Sequence, residues 1–389
     1  MVMLLLVIIY LSFIGVGLPA SLLGAAWPVM YTDLGTPLSY GGIISMIIIG
    51  STIVSCLLSE RVTRRLGAGP VTAIGLLVVC AALFGFSVSN AFWMLCLWAV
   101  PFGLGSGAID AAVNNYVALR FGSRHMNWLH FFWGVGATIS PYIIGYYLIH
   151  DLGWALGYRT VGFIQICLTL ILFVSLPLWK KQQGKAPAAV ERRSPLKLQQ
   201  IFRLKGILFV MLALFGYGAV ERTAILWASS YLVEYRGINT EIAAQFASLV
   251  FLGITIARFV SGFIAAKVRN RDMIRAGMAF MIAGIVMILL PVPADHVSLA
   301  GLVLVGCGCA PIFPSILHST PGNFGAENSQ AVIGVQMASA YTGAAMMPYI
   351  FGWLTRLLGI GIFPVFLLLF AAVALTMSEM LNRTVSAST

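Results

Sequence analysis

The sequence predicts an all-α membrane protein with twelve transmembrane helices in two pseudo-symmetric six-helix bundles. Three observations carry this expectation. Of the 389 residues, 60% are hydrophobic and only 9% charged, far from the roughly 25% charged of soluble domains. Apolar runs of about 20 residues, the length that crosses a bilayer, recur along the whole chain. Finally, Gly136-Ala137 with Pro141-Tyr142-Ile143 and Gly145 returns about 200 residues later as Gly343-Ala344 with Pro348-Tyr349-Ile350 and Gly352.

Taken in order, the predicted spans lie near 4–30, 39–60, 70–89, 92–120, 128–149, 159–179, 206–233, 241–266, 274–291, 298–319, 330–355 and 362–381. The first has no basic start and no small-residue cleavage site and stays apolar to Met30, so it reads as a span rather than a signal peptide. Cytoplasmic loops are enriched in Lys and Arg. With the amino terminus inside, the cytoplasmic segments hold Arg61, Arg64 and Arg65, then Arg120 and Arg124, then the Lys180–Lys205 stretch, then Lys267, Arg269, Arg271 and Arg275. The opposite side has only Arg159, Arg236 and Arg356. Both termini are therefore expected in the cytoplasm, with the chain in the cell membrane. The polar stretch 180–205, with Gly184, Pro187 and Pro195, reads as a cytoplasmic linker between bundles at 1–179 and 206–389.

Further matches extend the internal repeat. Gly50-x-Thr52 corresponds to Gly253-x-Thr255, and Gly103-x-Gly105 to Gly306-x-Gly308. The offset is 203 before the 320s and 207 after, which predicts a four-residue insertion in that loop. Parallel halves related by an axis along the membrane normal follow.

Composition also excludes. The basic residues behind the net charge of +11 fall in short clusters between apolar runs, not in the single stripe with exposed aromatics that nucleic acid requires. The six cysteines sit inside apolar runs as small hydrophobes, with no disulfide framework and no zinc-like spacing. No Gly-x-Ser-x-Gly, His-Glu-x-x-His or phosphate loop is present, so the chain does not read as an enzyme. No cofactor is expected.

Charges in a bilayer cost roughly 3 to over 10 kcal/mol, so those that persist face a bundle interior and have a task. In the fourth span Gly103, Gly107, Asp110 and Asn114 share one stripe. Asp110 and Asn114, one turn apart, present a carboxylate and an amide to the same space, suited to sugar hydroxyls or to a proton site. In the seventh span Glu221 and Arg222 are adjacent, point about 100° apart and each need a partner from elsewhere. For Arg222 three readings stand open: an ion pair with an acid such as Asp110, contact with an anionic substrate, or snorkelling near a helix end. Arg258 reads as part of a gate or a loop anchor. In the fifth span Asn127, His130 and Gly134 share a face. For His130 three readings stand open: donation to a hydroxyl, titration near neutrality, or a packing histidine. Trp27, Trp133, Trp227, Tyr31, Tyr231 and Tyr341 offer rings for stacking on a sugar, though Trp and Tyr also populate membrane interfaces.

At these spans the text resembles the major facilitator superfamily, and within it the fucose:proton symporters with the related sodium-dependent glucose transporters. Asp110-Ala-Ala-Val-Asn114 resembles that group's acid-x-x-x-Asn pattern. Asn127-x-x-His130 is similar to its Asn-x-x-Gln, and Gly218-Ala-Val-Glu221 followed by Trp227 and Tyr231 to its Gly-x-Glu, Trp, Tyr run. Three departures stand out. His130 replaces Gln, Trp133 replaces a polar residue, and the first span carries no acid. The loop Glu60-Arg61-Val-Thr-Arg64-Arg65-Leu-Gly67 is a degenerate form of the superfamily's gate motif.

The resemblance implies a carrier working by alternating access on a sugar or similar polyhydroxylated solute. The expected coupling ion is a proton, with sodium as the alternative. Asp110 and Glu221 are the expected proton sites. Asn114, Asn127, His130, Trp133, Gln165, Arg222, Trp227, Gln336, Tyr341 and Trp27 are expected around the solute. The competing expectation is an exporter of amphipathic or anionic compounds. Beyond solute and lipid no partner is required, and the chain is expected to act as a monomer.

Overall fold

The computed structural model describes residues 2–183, 196–292 and 295–386, all in helices and short connections, with no strand among them. The helices are α1 Val2–Ala20, α2 Leu22–Asp33, α3 Tyr40–Leu66, α4 Ala68–Val88, α5 Phe92–Arg120, α6 Ser123–Ile149, α7 Trp154–Gln183, α8 Leu198–Ile201, α9 Ile207–Glu234, α10 Thr240–Ile264, α11 Asn270–Leu289, α12 Asp295–Phe324, α13 Ser329–Leu358 and α14 Phe363–Ser386. With α1 and α2 forming one interrupted span and α8 only a four-residue turn, twelve long helical columns remain, as the apolar runs predict. The central part of the expected linker, residues 184–195, lies outside the described residues.

By length and hydropathy alone ten spans qualify, because α6 and α13 do not. These two carry the repeated Gly-Ala and Pro-Tyr-Ile-x-Gly text. Small, aromatic and polar side chains lower their mean hydropathy, and small residues are what close packing of membrane helices requires.

The chain forms two compact units, Met1–Tyr116 with Leu129–Pro195, and Val117–Trp128 with Leu196–Thr389. The repeat appears inside them as matching backbone contacts. In the first, a Cβ on Gly17 would run into the carbonyl of Trp133, and one on Gly136 into that of Ile14. In the second, a Cβ on Gly218 would meet the Ala340 carbonyl, and one on Gly343 the Phe215 carbonyl. Gly103 against Ile48 and Gly306 against Val250 form another such pair, as do Gly75 with Gly105 and Gly277 with Gly308. Each glycine removes the side chain that would hold two helices apart.

Against the four-residue insertion expected in the 320s, the connection there is longer by two residues. Phe121-Gly122 joins α5 to α6, whereas Gly325–Asn328 joins α12 to α13, with Gly325 at φ +86°. The segment Val117–Trp128 clusters with the second unit, unlike the predicted halves, for identifiable reasons. The Trp128 indole packs on Gly262 and donates to the Phe259 carbonyl at 3.2 Å. His318 Nε2 donates to the Phe121 carbonyl at 2.9 Å, and Ser123 Oγ donates to Asn270 Oδ1 at 2.7 Å.

The first span is interrupted at Ser21, just after Pro19. Proline has no N–H to give the carbonyl four residues back, so the Gly15 carbonyl lacks its helical donor. Gln165 Nε2 supplies the replacement at 2.5 Å.

Candidate functional site

In the first unit, the residue types picked out on the fourth and fifth spans meet. Asp110 and Asn114 follow one another by a turn on α5, and Asn114 Nδ2 donates to Asp110 Oδ1 at 3.0 Å and to the Asp110 carbonyl at 2.9 Å. On α6, His130 Nε2 lies 3.0 Å from Asn114 Oδ1. Since Asn114 spends its amide N–H on the acid, its oxygen is the acceptor, which fixes the proton on His130 Nε2. The imidazole stands edge-on to Phe13 of α1. All three polar residues are buried, Asn114 fully so. A relay from imidazole through amide to carboxylate can hold a proton at either end and order hydroxyls beside it.

In the second unit, the acid of α9 has a partner, and it is not its sequence neighbour. Arg258 Nη2 of α10 lies 3.3 Å from Glu221 Oε1 and 3.3 Å from the Tyr217 hydroxyl. The Arg258 side chain is 5% exposed and that of Glu221 18%, and Arg258 Nε is buried with no hydrogen-bond partner. Arg258, read from the sequence as part of a gate or a loop anchor, is one half of a buried ion pair. Its sequence signal was an arginine inside the apolar run Leu252–Phe259. Arg222 is exposed and has no hydrogen bond or ion pair among the described residues.

The remaining expected residues divide by what already occupies their polar atoms. Trp27 donates its indole N–H to the Leu38 carbonyl at 2.7 Å and lies flat on Gly41, so it staples α2 to the start of α3. Trp227 likewise donates to the Pro348 carbonyl at 3.0 Å, against Phe351. Gln165 gives its amide to Gly15, and its Oε1 is buried without a partner. Gln336 accepts from Thr320 at 2.9 Å while its Nε2 has no partner. Asn127 donates to the Ser123 carbonyl, belongs to the second unit and leaves Oδ1 without a partner. Trp133 and Tyr341 are half-buried.

Among the described residues no cluster of three or more His, Cys, Asp or Glu suits a metal ion. At the start of the predicted gate motif, buried Glu60 pairs with Arg64 at 3.6 Å.

A sequence profile described as Major Facilitator Superfamily matches residues 9–348. The chain belongs to the major facilitator superfamily. It is thus a multi-pass membrane transporter of small solutes, not an enzyme. Among similar proteins, the hexuronate transporter of Bacillus subtilis (strain 168) is 26% identical over 319 residues, covering 78% of this chain and 74% of that one. Of solved structures, FucP in the outward conformation superposes with a TM-score of 0.81 at 15% identity, over 97% of this chain and 98% of that one. The proton:xylose symporter XylE, bound to 6-bromo-6-deoxy-D-glucose, gives 0.80 at 12%, over 98% and 95%. At these identities the structural likeness establishes the major facilitator fold and nothing finer.

Proposed function

We propose that this transporter moves a sugar or similar polyhydroxylated solute across the cell membrane in symport with protons. The buried Asp110–Asn114–His130 relay carries this reading. There the Asp110 carboxylate is bonded to an amide, which in turn holds an imidazole. Protonating Asp110 removes the charge that Asn114 donates to, which changes what the relay presents to a hydroxylated ligand. The relatives support the substrate class: one is named for hexuronates, and two solved neighbours are titled for fucose and xylose. Glu221, tied to Arg258, is the second proton site in this scheme. The Lys and Arg distribution supports cytoplasmic termini, and one chain suffices for the cycle.

Uptake by proteoliposomes decides the matter. Under an inward pH gradient wild-type protein is expected to accumulate a labelled sugar, and Asp110→Asn to equilibrate it without accumulation while still exchanging it. Accumulation that ignores the pH gradient but follows sodium moves the coupling to sodium. Wild-type accumulation by Asp110→Asn overturns the role of Asp110. A second reading, export of amphipathic or anionic compounds, draws on the exposed Arg222. Net efflux of such compounds with no sugar uptake selects it.

A further inference from the structure

Resting on the carrier reading above, we propose that the solute is an anion, a sugar acid with one carboxylate, and that Arg222 receives that carboxylate. In α9, Ile207–Glu234, Arg222 follows the first residue by fifteen positions and precedes the last by twelve. At 1.5 Å per residue its Cα lies about 22 Å from one end and about 18 Å from the other, close to the middle of a hydrocarbon layer about 30 Å thick. Neither interface is within reach of an arginine side chain, so snorkelling is excluded. A bare guanidinium at this depth is costly against lipid, and a wet cavity is the environment that fits it.

Charge supplies the second step. Glu221, the one acid near this depth on α9, is paired with Arg258, which also donates to the Tyr217 hydroxyl. Other acids of this unit pair with cations at helix ends: Asp272 with Arg269, Asp295 with Arg236, and Glu379 with Arg271 and Arg275. The α9–α10 pair thus sets two guanidiniums against one carboxylate away from the helix ends where the other pairs lie. The surplus is one positive charge, exposed, on Arg222. A neutral sugar leaves it uncompensated. A carboxylate matches the guanidinium's planar fork with two parallel hydrogen bonds, a geometry that a hydroxyl cannot supply.

The two charges also set the electrical character of transport. One proton taken with one monoanionic solute moves no net charge. Uptake driven by the pH gradient is then indifferent to membrane potential.

The test pairs sugars that differ only at C6. Binding of D-glucuronate and D-galacturonate to detergent-purified protein is compared with that of D-glucose and D-galactose, in wild type, Arg222→Gln and Arg222→Lys. A hydrogen-bonded charge pair implies that each acid binds wild type roughly 10- to 100-fold more tightly than its parent sugar. Arg222→Gln is expected to lose that preference, and Arg222→Lys to keep part of it. Equal binding of acids and parent sugars by wild type overturns the anion assignment and leaves the sugar-carrier reading standing. So does an unchanged preference in Arg222→Gln. A wild-type affinity regained only when Asp110→Asn is added to Arg222→Gln shows that Arg222 serves Asp110, and overturns it too. If neither class binds or is taken up, both readings fall.

Discussion

Removing the Glu221 carboxylate is the sharpest perturbation the structure offers. Glu221→Gln keeps the side-chain shape but takes away the negative charge 3.3 Å from Arg258 Nη2. The arginine side chain is 5% exposed and its Nε already lacks a partner, so it has no water to turn to. Breaking a buried pair from one side costs about 3–5 kcal/mol. Because Glu221 itself is 18% exposed, part of that is screened, which leaves an expected loss of about 2–3 kcal/mol. Replacing both partners, in Glu221→Gln with Arg258→Met, removes the stranded charge. The double variant is expected to fall within about 1 kcal/mol of wild type, because apolar replacement of a buried pair is often neutral. Equilibrium unfolding of the purified protein in mixed micelles, run as a double-mutant cycle, measures the coupling directly. Additive losses would refute the pairing, and so would a Glu221→Gln protein as stable as wild type.

Three further outcomes follow from the same coordinates. In Asp110→Asn, solute accumulation, expected to be about tenfold per pH unit for one proton per solute, should drop to simple equilibration, as read by uptake at several imposed gradients. Gly17→Ala and Gly343→Ala push a methyl into the backbones of Trp133 and Phe215, and should each cost about 1–3 kcal/mol. Gly50→Ala, with nothing within 4 Å of the added carbon, should instead stabilise α3 by about 0.5–1 kcal/mol, and melting curves of the three proteins compare them. Trp27→Phe loses the bond to the Leu38 carbonyl and should cost about 1 kcal/mol without changing solute affinity, which a titration of binding on the purified variant checks.

Lipid is an unforgiving solvent, and that is why so much of this protein was legible as text. A backbone with no water to bond must be helical, so the apolar runs determined ten of the twelve columns outright, and the Gly-Ala and Pro-Tyr-Ile-x-Gly echo marked the other two and the repeat of the two halves. The stripe of Gly103, Gly107, Asp110 and Asn114 followed from the 3.6-residue period, and the α5 geometry keeps Asp110 and Asn114 in contact. Partners across helices were beyond that reach. Periodicity gives the face of one helix and says nothing about which helix comes to meet it. Only tertiary packing decided that Glu221 answers to Arg258 and not to its neighbour, that Gln165 supplies the donor missing at Gly15 above Pro19, and that Trp27 is a staple on Leu38. Packing alone also drew Val117–Trp128 to the second unit through Trp128 and His318. These are distances between residues far apart in the chain, set by how helices cross, and sequence spacing carries no record of them.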